Sequence, residues 1–364
     1  MGLEEELEKA RDKLEKTPVN KSTEKERARI KTKIARIEKK MEKKQEGTGG
    51  GYEGYAVEKQ GDATVSLVGY PSVGKSLLLN KLTNAESEVG RYHFTTLDVV
   101  PGMMEYKGAK IQLLDVPGLI GGAAENRGEG KQVISVIRNS DLVVLMTDPG
   151  RLDGFGKMEE ELYESGIRLD TEPPNVKVEK KGKGGIEVRT PVDLTELDEE
   201  SIRQVMNEWG YTNAKIVIRE DLMLDRLVDV LATNRKYMPS LKVVNKADTI
   251  DQAKKEEIAE KHPDAVPLSA ENEENLGEFR EELRRKLGLI RIYMKKPGKE
   301  PDRDEPLIVK KGSNVQDICD KLAGKIEQKF KYAKVWGESA KFPEQQVGED
   351  HQVKDEDVVE IRTS

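Results

Sequence analysis

The sequence predicts an α/β protein: a mostly parallel sheet with a small α+β subdomain inserted into it, a helical hairpin in front and a β-rich domain behind. Three observations predict it. From Asp62 onward the short apolar runs ATVSLVG, IQLLDVPG, DLVVLMTD, LKVVNKAD and AVPLSA alternate with stretches of helical periodicity. That is the pattern of strands buried on both faces and joined by helices. The alternation breaks for about 90 residues between LVVLMTD and LKVVNKAD, where a single helix would serve. The texture also changes at both ends of the chain.

Taken in order, residues 1–48 form the arm. Leu3, Leu7, Ala10 and Leu14 recur at helical spacing, as do Ile30, Ile34, Ile37 and Met41. Pro18 ends the first helix, and Thr23 with Glu26 offers a capping box for the second. This is either a solvated helical hairpin or a docking arm for a protein or RNA. Residues 49–61, beginning GGGYEGY within EGTGGGYEGY, read as a linker. The sheet-bearing domain spans 62–288. Its insertion, at about 166–234, contains VKVEKKGKGGIEVR, expected as a hairpin turning at Gly184 and Gly185. A helix (SIRQVMNEWG), a strand (AKIVI) and a second helix (LMLDRLVDVL) follow it. Residues 289–364 hold IRIYMKK, PLIVKKG, the helix VQDICDKLAGKI, YAKVW and DVVEIRT. This is a compact β-rich domain in which Phe330 and Trp336 serve the core or a sheet face.

Composition narrows the class. A chain of 364 residues with 35% hydrophobic and 36% charged residues is globular with an ionic surface. Cys319, the single cysteine, excludes intrachain disulfides and cysteine-rich zinc sites, and it is expected to fill a small space in the core. The longest apolar runs are strand-sized, and the N-terminus lacks a signal pattern, so a cytoplasmic protein without membrane contact is expected. The net charge of −7 is uneven. Residues 1–48 carry 15 Lys and Arg against 11 Asp and Glu, a +4 arm on a −11 body, which points to a polyanionic neighbour.

The chemistry begins directly after the first strand. Gly69-Tyr70-Pro71-Ser72-Val73-Gly74-Lys75-Ser76 matches GxxxxGK[ST] and runs into the apolar helix that Leu77 opens. The glycines let backbone N–H groups wrap a phosphate, Lys75 neutralises β/γ oxygens, and Ser76 can ligate Mg²⁺. Asp115, ending a strand 40 residues after Lys75, can hold the metal's water shell, and Gly118 can place an N–H near the γ-phosphate. Thr95 and Thr96 sit in a loop able to close over the metal, with Thr96 favoured as ligand. Lys75, Thr96 and Gly118 are the expected catalytic groups, and Ser76, Thr96 and Asp115 the expected metal ligands.

Asn245-Lys246-Ala247-Asp248 selects the base. A carboxylate at 248 accepts hydrogen bonds from the N1–H and 2-amino group of guanine, donors that adenine lacks, and a ring without them leaves the site unpaired. Asn245 reads the opposite edge or braces the loop, the Lys246 stem covers the ring, and in Leu268-Ser269-Ala270 the Ala270 N–H can meet O6. Four elements in this order describe a guanine-nucleotide switch.

These motifs, with YHFTTLDVVPG, DVPGLIGGAAENRGEGKQVI and VGEDHQVKDEDVVEI, resemble the developmentally regulated GTP-binding proteins. They form a branch of the Obg-related translation-factor GTPases, and the likeness points to an archaeal member. It spans nearly the whole chain. It implies a P-loop GTPase domain with an inserted subdomain and a C-terminal β-grasp TGS domain. It further implies GTP hydrolysis to GDP in association with ribosomes, beside a small stabilising partner protein. Many GTPases have a water-orienting Gln directly after the DxxG glycine, but here Leu119 stands there. Slow intrinsic turnover is expected, with Leu119→Ala changing it less than tenfold. Some Obg-related enzymes hold an activating K⁺ with a phosphate-loop Asn; Ser72 occupies that position, leaving only backbone carbonyls to line a K⁺ site.

The glycine-rich 121–134 segment is the expected moving part. Arg91 and His93 adjoin the switch loop without a required role, and His262 and His351 are expected in loops or at the surface. Lys177, Lys180, Lys181, Lys183 and Arg189 crowd the inserted hairpin and either touch RNA or form a solvated basic turn. Beside the ribosome-acting GTPase stands one alternative, a nucleotide-gated scaffold whose hydrolysis is incidental. A kinase or ATPase fits poorly because Asp248 is placed to select guanine.

Overall fold

The computed structural model describes residues 2–18, 23–46, 59–83, 99–116, 129–322 and 330–363. In chain order the elements are α1 (Leu3–Lys16), α2 (Glu24–Glu46), β1 (Ala63–Gly69), α3 (Lys75–Leu82), β2 (Val100–Tyr106), β3 (Ala109–Asp115), α4 (Glu129–Asn139), β4 (Leu142–Thr147) and α5 (Gly154–Glu164). The inserted stretch holds β5 (Ile167–Leu169), β6 (Val176–Lys180), β7 (Ile186–Arg189), α6 (Glu199–Glu208), β8 (Ala214–Ile218), α7 (Leu224–Ala232) and β9 (Lys236–Met238). After it come β10 (Ser240–Val244), α8 (Gln252–Lys261), β11 (Ala265–Pro267) and α9 (Leu276–Leu287). The tail is β12 (Leu289–Met294), β13 (Leu307–Lys310), α10 (Val315–Leu322), β14 (Phe330–Trp336), β15 (Gln345–Val347) and β16 (Val358–Thr363). No described helix is long and apolar enough to cross a membrane. The chain divides into two units, one of residues 55–165 and 238–364, the other of residues 1–54 and 166–237.

In the first unit a six-stranded sheet runs β11-β10-β4-β1-β3-β2. Every neighbouring pair is parallel except β2 with β3. Burial explains the apolar runs: all seven residues of β1 and all six of β4 are buried, as strands covered by helices on both faces must be. β2, which is absent from the apolar runs of the sequence, alternates between buried and open positions. Its Pro101 and Gly102 weaken the local strand signal, and an edge strand tolerates them because one side of its backbone needs no ladder partner.

The tail forms a second sheet in the same unit, ordered β13-β12-β16-β14-β15, with β12 and β16 parallel at its centre. This first-strand-beside-last arrangement with α10 packed across it is a β-grasp. Its core includes Ile290, Ile292, Val315, Ile318, Val335 and Val359. Phe330 and Cys319 pack partly buried against that core, and Trp336 is half-buried beneath the Lys295 ammonium at 5.2 Å. Lys321 on α10 reaches Asp62, just before β1, at 2.8 Å.

The second unit contains both the arm and the insertion. Its sheet runs β6-β8-β7, with β8 antiparallel to β6 and parallel to β7. The sequence-based hairpin is therefore corrected: β6 and β7 flank β8 and do not pair with each other. β8 alternates buried and half-buried residues along AKIVI and is the strand best suited to the centre. α2 packs against α1 and against α6 and α7, and its Ile30, Thr32, Ala35 and Ile37 are buried. At its edges Lys31 meets both Asp225 oxygens at 2.6 Å, and Lys39 donates to Thr233 Oγ1 at 3.1 Å. The two readings of the arm, a solvated helical hairpin and a docking arm for a protein or RNA, stand beside one structural fact: α2 packs on α1 and on the insertion of its own chain. Thr23 hydroxyl donates to the Pro18 carbonyl and Glu26 pairs with Lys13 at 2.9 Å, so this pair of residues ties α2 to α1.

Candidate nucleotide site

Parallel strands deliver their C-terminal ends to one edge of the sheet, and a crevice opens where neighbouring connections leave in opposite directions. Here β1 lies between β3 and β4. The segments after β1, β3, β10 and β11 therefore converge on that edge, bringing together residues spread from 69 to 270.

The turn after β1 is shaped by close approaches. Gly69 lies against the Met146 carbonyl of β4 and Gly74, at φ 95°, lies against the Asn245 amide, so a Cβ at either position would collide. Ser72 adopts the left-handed conformation at φ 64°, unusual for a residue with a side chain. Val73 is fully buried and anchors the turn, Leu77 packs on the core, Tyr70 is half-buried and Pro71 is exposed.

Lys75 opens α3 and folds back over the turn, its Nζ donating to the carbonyls of Gly69 at 3.0 Å and Tyr70 at 3.2 Å. Burial lowers its pKa, and the nearby Asp115 carboxylate opposes that shift. The Ser76 hydroxyl donates to Asp115, which is buried at the end of β3. A hydroxyl and a carboxylate are thus joined at the mouth of the turn. Thr96, Gly118 and Leu119, like Arg91, His93 and the 121–128 part of the glycine-rich segment, lie outside the described residues.

Across the sheet edge, Asn245 is 2% exposed. Its Nδ2 donates to the Val73 carbonyl at 2.8 Å, while its Oδ1 accepts from the Ala270 N–H at 2.9 Å. Asn245 thus braces the loop, and its amide nitrogen, which carries two hydrogens, gives one of them to Val73. The Oδ1 contact places the Ala270 N–H, the expected partner of O6, at the base-side end of this bridge. Lys246, left-handed at φ 62°, extends its Nζ to the Ser72 carbonyl at 2.8 Å. Asp248 is exposed in a short 3-10 turn. Ser269 is fully buried and caps its own loop, accepting from the Asn272 N–H at 3.1 Å.

Two contributors carry no sequence motif that would have announced them. Arg151, in the loop after β4, places its guanidinium 5.7 Å from the centre of the Tyr70 ring. The Thr147 hydroxyl donates to the Arg151 carbonyl at 2.8 Å, and the Thr147 carbonyl accepts from the Asn245 N–H at 2.9 Å. The only available signal was their position after a buried strand.

Comparison with known proteins agrees with this geometry. Residues 64–181 match the family described as 50S ribosome-binding GTPase, residues 183–289 its C-terminal region, and residues 290–363 the TGS domain. A GTP-binding protein of Methanocaldococcus jannaschii is 50% identical, the match covering 99% of this chain and 93% of that one. Developmentally-regulated G-protein 3 of Arabidopsis thaliana is 42% identical over 98% of this chain and 97% of its own length. Human developmentally-regulated GTP-binding protein 2 is 39% identical over 99% of both. The chain belongs to the developmentally regulated GTP-binding proteins. It is a GTPase of that family, with a P-loop GTPase domain and a TGS domain.

Proposed function

We propose that this GTPase selects guanine through Asp248, hydrolyses GTP to GDP and phosphate with Mg²⁺, and works on the ribosome in the cytoplasm with slow unaided turnover. The observation that carries the reading is the Asn245 bridge. One buried amide ties the phosphate turn at Val73 to the base-side loop at Ala270, so the residues that grip phosphate and those that read the base share one rigid frame.

The donor set suits Mg²⁺. Among the described residues no group of three or more His, Cys, Asp or Glu could enclose an ion. The Ser76–Asp115 pair presents hard oxygens of the kind Mg²⁺ uses beside phosphate and water. When bound, the ion would neutralise charge on the β- and γ-phosphates; Ser76 would ligate it, Asp115 would hold its shell, and Thr96 is the expected further ligand. Lys75 would exchange its two loop carbonyls for phosphate oxygens, and Gly118 would offer its N–H to the γ-phosphate. K⁺ belongs to the same reading as an activator at the loop carbonyls, where it would share the Ser72 carbonyl with Lys246. Turnover above threefold higher in KCl than in equal NaCl supports it.

Calorimetry tests the base assignment. GTP and GDP are expected to bind and ATP not to. Asp248→Asn turns one acceptor into a donor, so xanthosine triphosphate, whose C2 carries an acceptor, should gain at least tenfold over GTP. Tight ATP binding by the native chain would overturn it. The family description of residues 64–181 supports the ribosomal role, and a small stabilising partner protein completes the picture. Single-turnover hydrolysis with and without ribosomes separates it from the nucleotide-gated scaffold. Stimulation supports the first; partner capture without stimulation supports the second.

A further inference from the structure

Where α2 meets the insertion, a cavity of about 270 Å³ is lined by Arg36, Lys39 and Lys40 from α2 and by Lys180, Trp209 and Tyr211 from the insertion. Among the described residues that line it none is acidic. Glu208, next in the chain to Trp209, is not among the lining residues; it lies 3.7 Å from Arg29 and also feels the charge of Arg36. Both aromatic rings carry a cation on their faces: Lys39 Nζ stands 5.4 Å from the Trp209 centroid, and Lys180 Nζ 5.7 Å from that of Tyr211. The Trp209 indole N–H is buried without an acceptor in the structure, which is uncommon for a buried donor.

We propose that this cavity binds an unpaired nucleotide of a single-stranded RNA. Planar rings beside a cluster of cations are what such a ligand requires: a base stacks on an aromatic face while its phosphates meet Lys and Arg. A base entering over Trp209 takes the face that the Lys39 ammonium covers, and Arg36, Lys40 and Lys180 meet the flanking phosphates. An acidic peptide would satisfy the cations but leave both ring faces without a planar partner. The rest of the basic β6–β7 segment is the weaker RNA surface, because three of its cations are paired locally. Lys177 pairs with Glu179 at 2.7 Å, and Lys181 and Arg189 both pair with Glu187, holding its carboxyl down at about 2. The inference deepens the ribosomal reading by naming a contact to RNA.

The chain has two tryptophans, so Trp336→Phe in the full-length protein leaves Trp209 as the reporter. With GDP saturating the nucleotide site, a ten-nucleotide mixed-sequence RNA should quench Trp209 fluorescence. Lys40→Glu with Lys180→Glu should weaken binding at least tenfold and lower the log–log salt slope by about 1.4, from two lost phosphate contacts at ~0.7 each. Lys183→Glu with Arg189→Glu should change affinity less than twofold. Trp209→Phe, which retains an apolar ring, should keep RNA binding by anisotropy within about tenfold, confirming that the unit is folded. Absence of quenching, equal quenching by the double-Glu variant, equal quenching by AMP alone, or equal binding of a polyglutamate peptide overturns the proposal. Ribosome co-sedimentation retained alongside any of these would sink the cavity's role and leave the ribosomal reading intact.

Discussion

Replacing Asn245 by alanine removes both hydrogen bonds that join the Val73 carbonyl and the Ala270 N–H. Each buried group left unpaired costs about 1–3 kcal/mol. GDP affinity measured by calorimetry should fall 10- to 100-fold, with the rest of the chain still folded by circular dichroism; a change below twofold would mean that the bridge is ornamental. Lys75→Ala acts differently. Its ammonium leaves two loop carbonyls and the nearby Asp115 charge in the free protein, so folding should be little affected, while GTP binding or turnover is lost. The motif around Lys75 was legible because phosphate binding needs its residues contiguous. Arg151 and Thr147 were not, because their contribution depends on which strand ends beside β1.

At the scale of elements, the insertion is held by an ion cluster that no local pattern signals. Arg168 on β5 meets Asp229 on α7 in a two-pronged contact at 2.7 Å, and Arg235 reaches the same carboxylate at 2.9 Å. All three side chains are 10% exposed or less. Asp229→Ala strands two buried guanidinium groups and should destabilise this unit by about 3–5 kcal/mol in urea unfolding. A loss under 1 kcal/mol would show that water compensates. A more exposed cluster links the β2–β3 turn to α9: Arg284, Lys107 and Tyr106 all bond Glu281 and hold its carboxyl at about 2. With its folded pKa depressed, Glu281 contributes stability that is full above the unfolded value near 4.5 and is lost as pH falls toward 2. Discounted for its exposure, the effect is on the order of 1 kcal/mol. Glu281→Gln should flatten the pH dependence in that window and lower stability above pH 6 by that same order of 1 kcal/mol.

For the molecule as a whole, the division of the chain runs against sequence order. Residues 1–54 belong with residues 166–237, not with the domain that follows them directly. A helix as polar as α2 would be marginal in isolation, so its amides should exchange with solvent at the same opening free energy as those of β8. Exchange of α2 at rates typical of an unsupported helix, with β8 still protected, would break that unit apart. Ile37→Ala, deleting a buried side chain of α2, should lower the stability of this unit by about 2–4 kcal/mol and leave the nucleotide-site unit unchanged.

The sequence by itself determined the parallel sheet, the turn after β1, the Asn245–Asp248 segment after β10 and the presence of an insertion and a tail domain, since each is written in contiguous periodicity or in a short fixed spacing. Only the tertiary structure decided that β8 separates β6 from β7, that α2 packs on the insertion, that Asn245 bridges Val73 and Ala270, and that Arg36 and Lys180 face one cavity. Each of these is a choice of partner across tens to hundreds of residues. An apolar stripe or a polar side chain states what it needs to be paired with; which surface meets that need is settled by competition among all the others once the chain closes.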